Sequence, residues 1–183
     1  DKLFLLYKCN LSCVYIVLII EVVISLDSKE HVTNIVNQYS DMVYKLALAR
    51  TKNKSDAEDV FQEVFIKYMK NYHKIVSDEH CKAWLIRTTI NCSYDIFNSS
   101  WSKKTVPIID NLVFGTEEKY DIYYNVLKLP KKYRTVIHLF YYEDMSIKEI
   151  AEALGTKEGT VKSQLHRGRN MLKESLKGEM DYV

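Results

Sequence analysis

The sequence predicts an all-α protein: two small helical domains joined by a flexible linker. Three observations carry that prediction. From residue 27 onward, apolar residues recur at spacings of three and four, the mark of helices with one buried face. Only 5 Gly and 2 Pro occur among 183 residues, too few turn-formers for the many short strands of an all-β chain. One stretch, residues 103–118, breaks the period with Pro107, Asp110, Asn111, Gly115 and Thr116, and so separates two periodic regions. At 47% hydrophobic and 27% charged residues the chain is an ordinary folded protein, neither disordered nor collagen-like. Its formal net charge of +2 does not by itself announce a nucleic-acid partner.

The elements follow in order. Residues 1–26 are a hydrophobic extension of uncertain status. Their apolar run, Val14 to Ile20, lies between Lys8 and Glu21, a dozen residues where a membrane span needs about 20. No small-residue cleavage site follows it, so a signal peptide fits poorly. The chain opens on Asp1, which leaves open sequence upstream of the natural protein, a weakly ordered extension, a packed element or a membrane anchor.

Residues 27–102 form the first expected domain. Val32, Ile35, Val36, Tyr39, Met42, Val43 and Leu46 make one face of a helix reaching about Arg50. A second helix is expected from Ser55, paired with Glu58 as a capping box, with Val60, Val64 and Met69 turned to a core. A third, from about His80 to Ser100, places Trp84, Leu85, Thr88, Cys92 and Ile96 on one stripe. Asp56, Asp59 and Glu63 recur at three and four on the second helix, a stripe suited to a basic partner or simply to water.

After the linker, which at full extension covers roughly 50 Å, residues 119–183 form the second domain. Helical periodicity returns from Ile122 to Leu127, then in Tyr133, Val136, Ile137 and Phe140 behind a helix-opening Pro130. The sharpest local signal is a helix-turn-helix. Ser146 and Glu149 make a capping box, and Ile147, Ile150, Ala151 and Leu154 an apolar stripe. Gly155 supplies the left-handed stop, Thr156 can cap the next helix, and Val161 plugs the angle between the two. The outer face of that next helix carries Lys157, Lys162, Arg167, Arg169, Lys173 and Lys177, interleaved with Ser163, Gln164 and His166, a set suited to phosphates and base edges.

Cys9, Cys13, Cys81 and Cys92 form no C-x-x-C pair and have no His at zinc-finger spacing, so reduced thiols in a cytoplasmic protein are expected. No nucleophile constellation, phosphate-cradling glycine loop or metal-ligand set is legible. Neither an enzyme nor a cofactor is expected.

The stretch LPKKYRTVIHLFYYEDMSIKEIAEALGTKEGTVKSQLHRGRNMLKESL resembles region 4, the promoter-binding end of bacterial sigma-70-type sigma factors, in the extracytoplasmic-function subfamily. DAEDVFQEVFIKYMKN is similar to that subfamily's regions 2.1 to 2.2, and AWLIRTTINCSYDIF to the helix that reads the minus-ten element. The resemblance spans residues 28–177. It implies a sigma factor that binds core RNA polymerase and directs initiation, with no small-molecule substrate and with an anti-sigma factor as inhibitor.

Position by position, the resemblance implies that Lys162, Ser163, His166 and Arg167 read the minus-thirty-five element, with Thr160 and Arg169 on phosphates. Asp59, Gln62 and Glu63, beside Asp56, would dock on the clamp helices of the polymerase β′ subunit, and the β flap is the other contact expected on core polymerase. Asn91 would capture an unstacked minus-ten base, with Asp95 one turn on. Where the subfamily often has an arginine-rich run, this chain has FNSSWSKK, leaving Trp101, Lys103 and Lys104 for the minus-ten strand. Tyr94, Phe97 and Trp101 recur at helical spacing and suit either base stacking or core packing. Two other readings stay open: a one-component helix-turn-helix regulator, which would bind DNA without polymerase, and a membrane-tethered signalling protein anchored through residues 3–26.

Overall fold

The computed structural model describes residues 26–98 and 117–180, with side chains over 30–96 and 122–177. Residues 1–25, with Cys9 and Cys13, lie outside the described part, as do Trp101, Lys103, Lys104 and the expected linker up to residue 116. The chain divides into two compact units, Asp1–Thr105 and Val106–Val183. Among the described residues every regular element is helical.

The first unit holds α1 (Leu26–Thr51), α2 (Lys54–Asn71), a 3₁₀ turn (Tyr72–Lys74) and α3 (Asp78–Asn98). All seven residues of the α1 face expected from periodicity are buried, and they meet Val60, Phe61, Val64 and Phe65 of α2 and Leu85, Ile86 and Ile90 of α3. Phe61 and Phe65 pack edge to face, with ring centres 4.9 Å apart. Met69, expected in the core, is only half-buried, because Phe61, Phe65 and Tyr68 already fill that side of α2. On α3, Thr89 rather than Thr88 is fully buried, its hydroxyl donating to the Leu85 carbonyl.

The start of α2 corrects the expected capping box at Ser55. Asn53 is the cap: its side chain accepts from the Asp56 N–H at 3.1 Å, and Ser55 lies inside the first turn. The chain gets there through Lys52, held at a left-handed φ of 59°, and Thr51, whose hydroxyl donates to the Ala47 carbonyl at 3.0 Å. Because that turn ends α1 at Thr51, the cap position falls at Asn53, two residues before Ser55. The third helix also starts earlier than expected, at Asp78, with the Ser77 hydroxyl accepting from the His80 N–H.

The second unit holds α4 (Glu117–Lys128), α5 (Lys131–Tyr141), α6 (Ile147–Leu154) and α7 (Glu158–Met180). Glu117 and Glu118 are therefore helical, although the linker was expected to run to 118. Ile122 is exposed on α4, and the buried stripe is Tyr123, Val126 and Leu127. Pro130 stands one place before α5, as its cap residue. The buried Arg134 donates to the carbonyls of Leu127 and Leu129 at 3.1 and 2.7 Å, placing a cation on the C-terminal end of α4, where the helix dipole favours it.

No helix among the described residues is long and apolar enough to cross a membrane. Cys81 and Cys92 are free and buried, and burial pushes both thiols up, which keeps them protonated and unreactive.

Candidate nucleic-acid and polymerase interfaces

The helix-turn-helix is assembled from local chemistry. Ser146 accepts from the Glu149 N–H at 3.2 Å while the Glu149 carboxylate accepts from the Ser146 N–H at 2.8 Å, so the box closes on both sides. At the other end of α6, Gly155 takes φ +60°, and the Thr156 N–H donates back to the Ala151 carbonyl at 2.9 Å. Thr156 was expected to cap α7. Its backbone closes the turn instead, and α7 begins at Glu158. Val161 and Leu165 are buried against the pair, and Ala151 is 5% exposed where the helices approach.

The acidic dipeptide before the box has a structural role. Glu143 is buried with its carboxylate 3.3 Å from the fully buried His138, which stacks on Tyr142 at 5.3 Å. Asp144 takes a left-handed φ of 54° and turns the chain toward α6.

With Val161, Leu165 and Gly168 turned inward, Lys162, Ser163, His166 and Arg167 all fall on the exposed side of α7, as do Thr160 and Arg169. Their states differ. The Ser163 hydroxyl donates to the Thr160 carbonyl at 2.8 Å, so it faces outward as an acceptor. Lys162 keeps only a loose 4.0 Å contact with Glu158. Asn170 bonds His166 at 3.2 Å and shares the same face. Its i+4 spacing from His166 already places it on that face in the sequence.

In the first unit, Asn91 and Asp95 are exposed one turn apart on α3, and Tyr94 is 47% exposed beside them. Core packing therefore does not account for Tyr94. Its ring lies 4.6 Å from the guanidinium carbon of the buried Arg50, whose Nε donates to the Ser93 hydroxyl. Arg87, one turn before Asn91, is also exposed and puts a cation on that stripe. Its spacing of four from Asn91 already places it there in the sequence.

On α2, Ala57, Val60, Phe61 and Val64 face inward, which turns Asp59 and Glu63 to the surface and leaves Asp56 and Gln62 half-buried. Burial, and behind it the Asp59 charge, push the Asp56 carboxyl above its ordinary value. Glu63 holds Lys67 at 3.4 Å. Among the described residues no group of His, Cys, Asp and Glu is arranged to hold a metal ion.

Comparison with known proteins matches both units. Residues 35–103 match the family model for sigma-70 region 2, and residues 124–172 the model for sigma-70, region 4. The chain is 33% identical over 167 residues to the ECF RNA polymerase sigma factor SigW of Bacillus subtilis (strain 168), covering 79% of this chain and 88% of that protein. To the RNA polymerase sigma factor SigV of the same organism it is 30% identical over 144 residues, covering 74% and 85%. Among solved structures, the fold is similar to the sigma factor RpoE in its co-crystal structure with the anti-sigma factor NepR from Bartonella quintana. The TM-score is 0.67 at 22% identity, over 84% of this chain and 98% of that one. CnrH, solved in complex with the cytosolic domain of CnrY, gives a TM-score of 0.59 at 21% identity, over 82% and 90%.

Proposed function

The chain belongs to the sigma-70 family, in its extracytoplasmic-function subfamily, and from that premise we propose how its surfaces divide the work of promoter recognition by RNA polymerase. The face of α7 formed by Lys162, Ser163, His166 and Arg167 reads the minus-thirty-five element in the major groove, with Thr160 and Arg169 on flanking phosphates. What carries this reading is the geometry of the capping box, the left-handed Gly155 and the buried Val161, which leave those side chains outward on one helix.

In the first unit Asn91 and Asp95 meet the minus-ten element, with Tyr94 as a stacking surface and Arg87 on phosphate. Unstacking a base costs a few kcal/mol, so a supported ring is what the site must offer. Trp101, Lys103 and Lys104 extend this contact along the strand. Asp56, Asp59, Gln62 and Glu63 dock on the clamp helices of the polymerase β′ subunit, and residues 119–183 meet the β flap. Residues 27–102 and 119–183 act as the two working domains, with 103–118 between them.

An anti-sigma factor covers these surfaces when the protein is idle. The anti-sigma factor NepR, bound to RpoE in its co-crystal structure, supports this reading. The chain works in the cytoplasm and performs no covalent chemistry of its own.

Base preference tests the division of labour. Holoenzyme carrying His166→Ala, selected against a randomised promoter library, is expected to lose preference at one or two upstream positions and keep its downstream element. Asn91→Ala is expected to do the reverse. A mismatched base pair typically costs about 1–3 kcal/mol, well within the range of such a selection. If either substitution blurs both elements, or neither, the assignment is wrong.

A further inference from the structure

The buried side of the recognition helix makes one unusually close approach. Gly168 packs on α5, where a Cβ at that position would lie 3.0 Å from Cγ1 of Ile137 and 3.5 Å from Cβ of Tyr133. Tyr133, Ile137 and Tyr141 are spaced at i, i+4 and i+8, so they form one stripe of α5. Gly168 sits on the middle of that stripe, and its neighbour Arg169 reaches Tyr141.

At one end the Arg169 Nε donates to the Tyr141 hydroxyl at 2.8 Å. The same guanidinium lies 5.4 Å from the Phe140 ring centre and 5.5 Å from that of Tyr141, within cation–π range of both. The two rings brace each other edge to face at 5.0 Å. At the other end the neighbouring cations Arg167 and Lys132 hold the Tyr133 phenol below its ordinary pKa. Lys132 Nζ also lies 4.9 Å from the centre of the ring.

We propose that Tyr141, with Phe140, is a positioning residue: the α5 stripe pre-orients Arg169 of the recognition helix for DNA. A free arginine spreads over many rotamers and must lose them on binding. Here Arg169 is bonded through Nε and flanked by rings, which leaves its Nη groups for a phosphate. The helix behind the reader thus contributes to DNA affinity without touching a base.

This proposal rests on the assignment of Arg169 to DNA, and the experiment separates the two. The probe is the duplex most enriched from the randomised promoter library by the wild-type holoenzyme. Its affinity is measured against salt for holoenzymes carrying Tyr141→Phe, Arg169→Ala and both. Arg169→Ala is expected to flatten the dependence of log K on log salt by about one contact. Tyr141→Phe, which keeps the ring and removes the acceptor, is expected to weaken binding about threefold to tenfold. It should add nothing in the Arg169→Ala background and leave thermal unfolding of the free chain unchanged.

If Arg169→Ala weakens binding while Tyr141→Phe does not, the positioning role is refuted and the DNA assignment stands. If Tyr141→Phe weakens both backgrounds equally, it acts through the fold and the proposal is again refuted. If Arg169→Ala has no effect, the assignment of Arg169 to phosphate falls, and the proposal with it.

Discussion

Asp56 is a residue whose charged form is disfavoured by folding. Burial, followed by the neighbouring Asp59 charge, raises its pKa in the folded chain. The folded state then holds the proton more tightly than the unfolded chain, whose carboxyl titrates near about 3.9. Stability is therefore lost as pH rises from that value through the raised folded pKa. Asp56→Asn is expected to raise the unfolding temperature near about pH 7 and to change it much less near about pH 3. An equal shift at both would mean that the carboxyl is not penalised by folding. A basic partner over this stripe would bring the raised Asp56 pKa back down, so an acidic surface costly to the free chain suits one that functions when covered.

At the scale of the element, α7 depends on glycine at two places for different reasons. Gly155 supplies a left-handed turn at φ +60°, with nothing within 4 Å of a Cβ there, so a side chain at that position is strained by backbone conformation alone. Gly168 is helical, and the limit there is space. Ile137 is 1% exposed and cannot retreat, so Gly168→Val is expected to destabilise the second unit by about 1–3 kcal/mol. Thermal or urea unfolding checks this, and a neutral result would show that α5 and α7 do not need their close contact. These two glycines also mark what periodicity reveals. Gly155 was legible in the sequence because a cap, a stripe and a glycine stood at fixed offsets. Gly168 was not, because a close approach depends on which α5 residue lies opposite. The same limit hid Arg134 and His138: a buried cation on α4 carbonyls and a buried imidazole beside Glu143 look like surface residues until the helices are packed. Ser55 was misread because two cap-forming residues lie two apart, and only the left-handed Lys52 selects Asn53.

At the scale of the whole molecule, near-neutral charge conceals unlike surfaces. Residues 119–183 carry 12 Lys and Arg against 9 Asp and Glu, while residues 28–102 carry 10 against 9 with an acidic stripe on α2. Such a chain suits two partners of opposite charge, a basic polymerase surface and acidic DNA. Asp59→Lys with Glu63→Lys reverses the first surface without touching the α2 core. It is expected to abolish binding to core RNA polymerase while the helical circular dichroism stays unchanged. Retained affinity would mean that the stripe only faces water. The most direct test of the account is initiation by the full chain with purified core RNA polymerase on a randomised promoter library. The expected result is specific initiation from duplexes sharing an upstream and a downstream element at fixed separation, lost with the double Lys variant. Binding of the chain to duplex DNA with no specific initiation from any member of the library would contradict it.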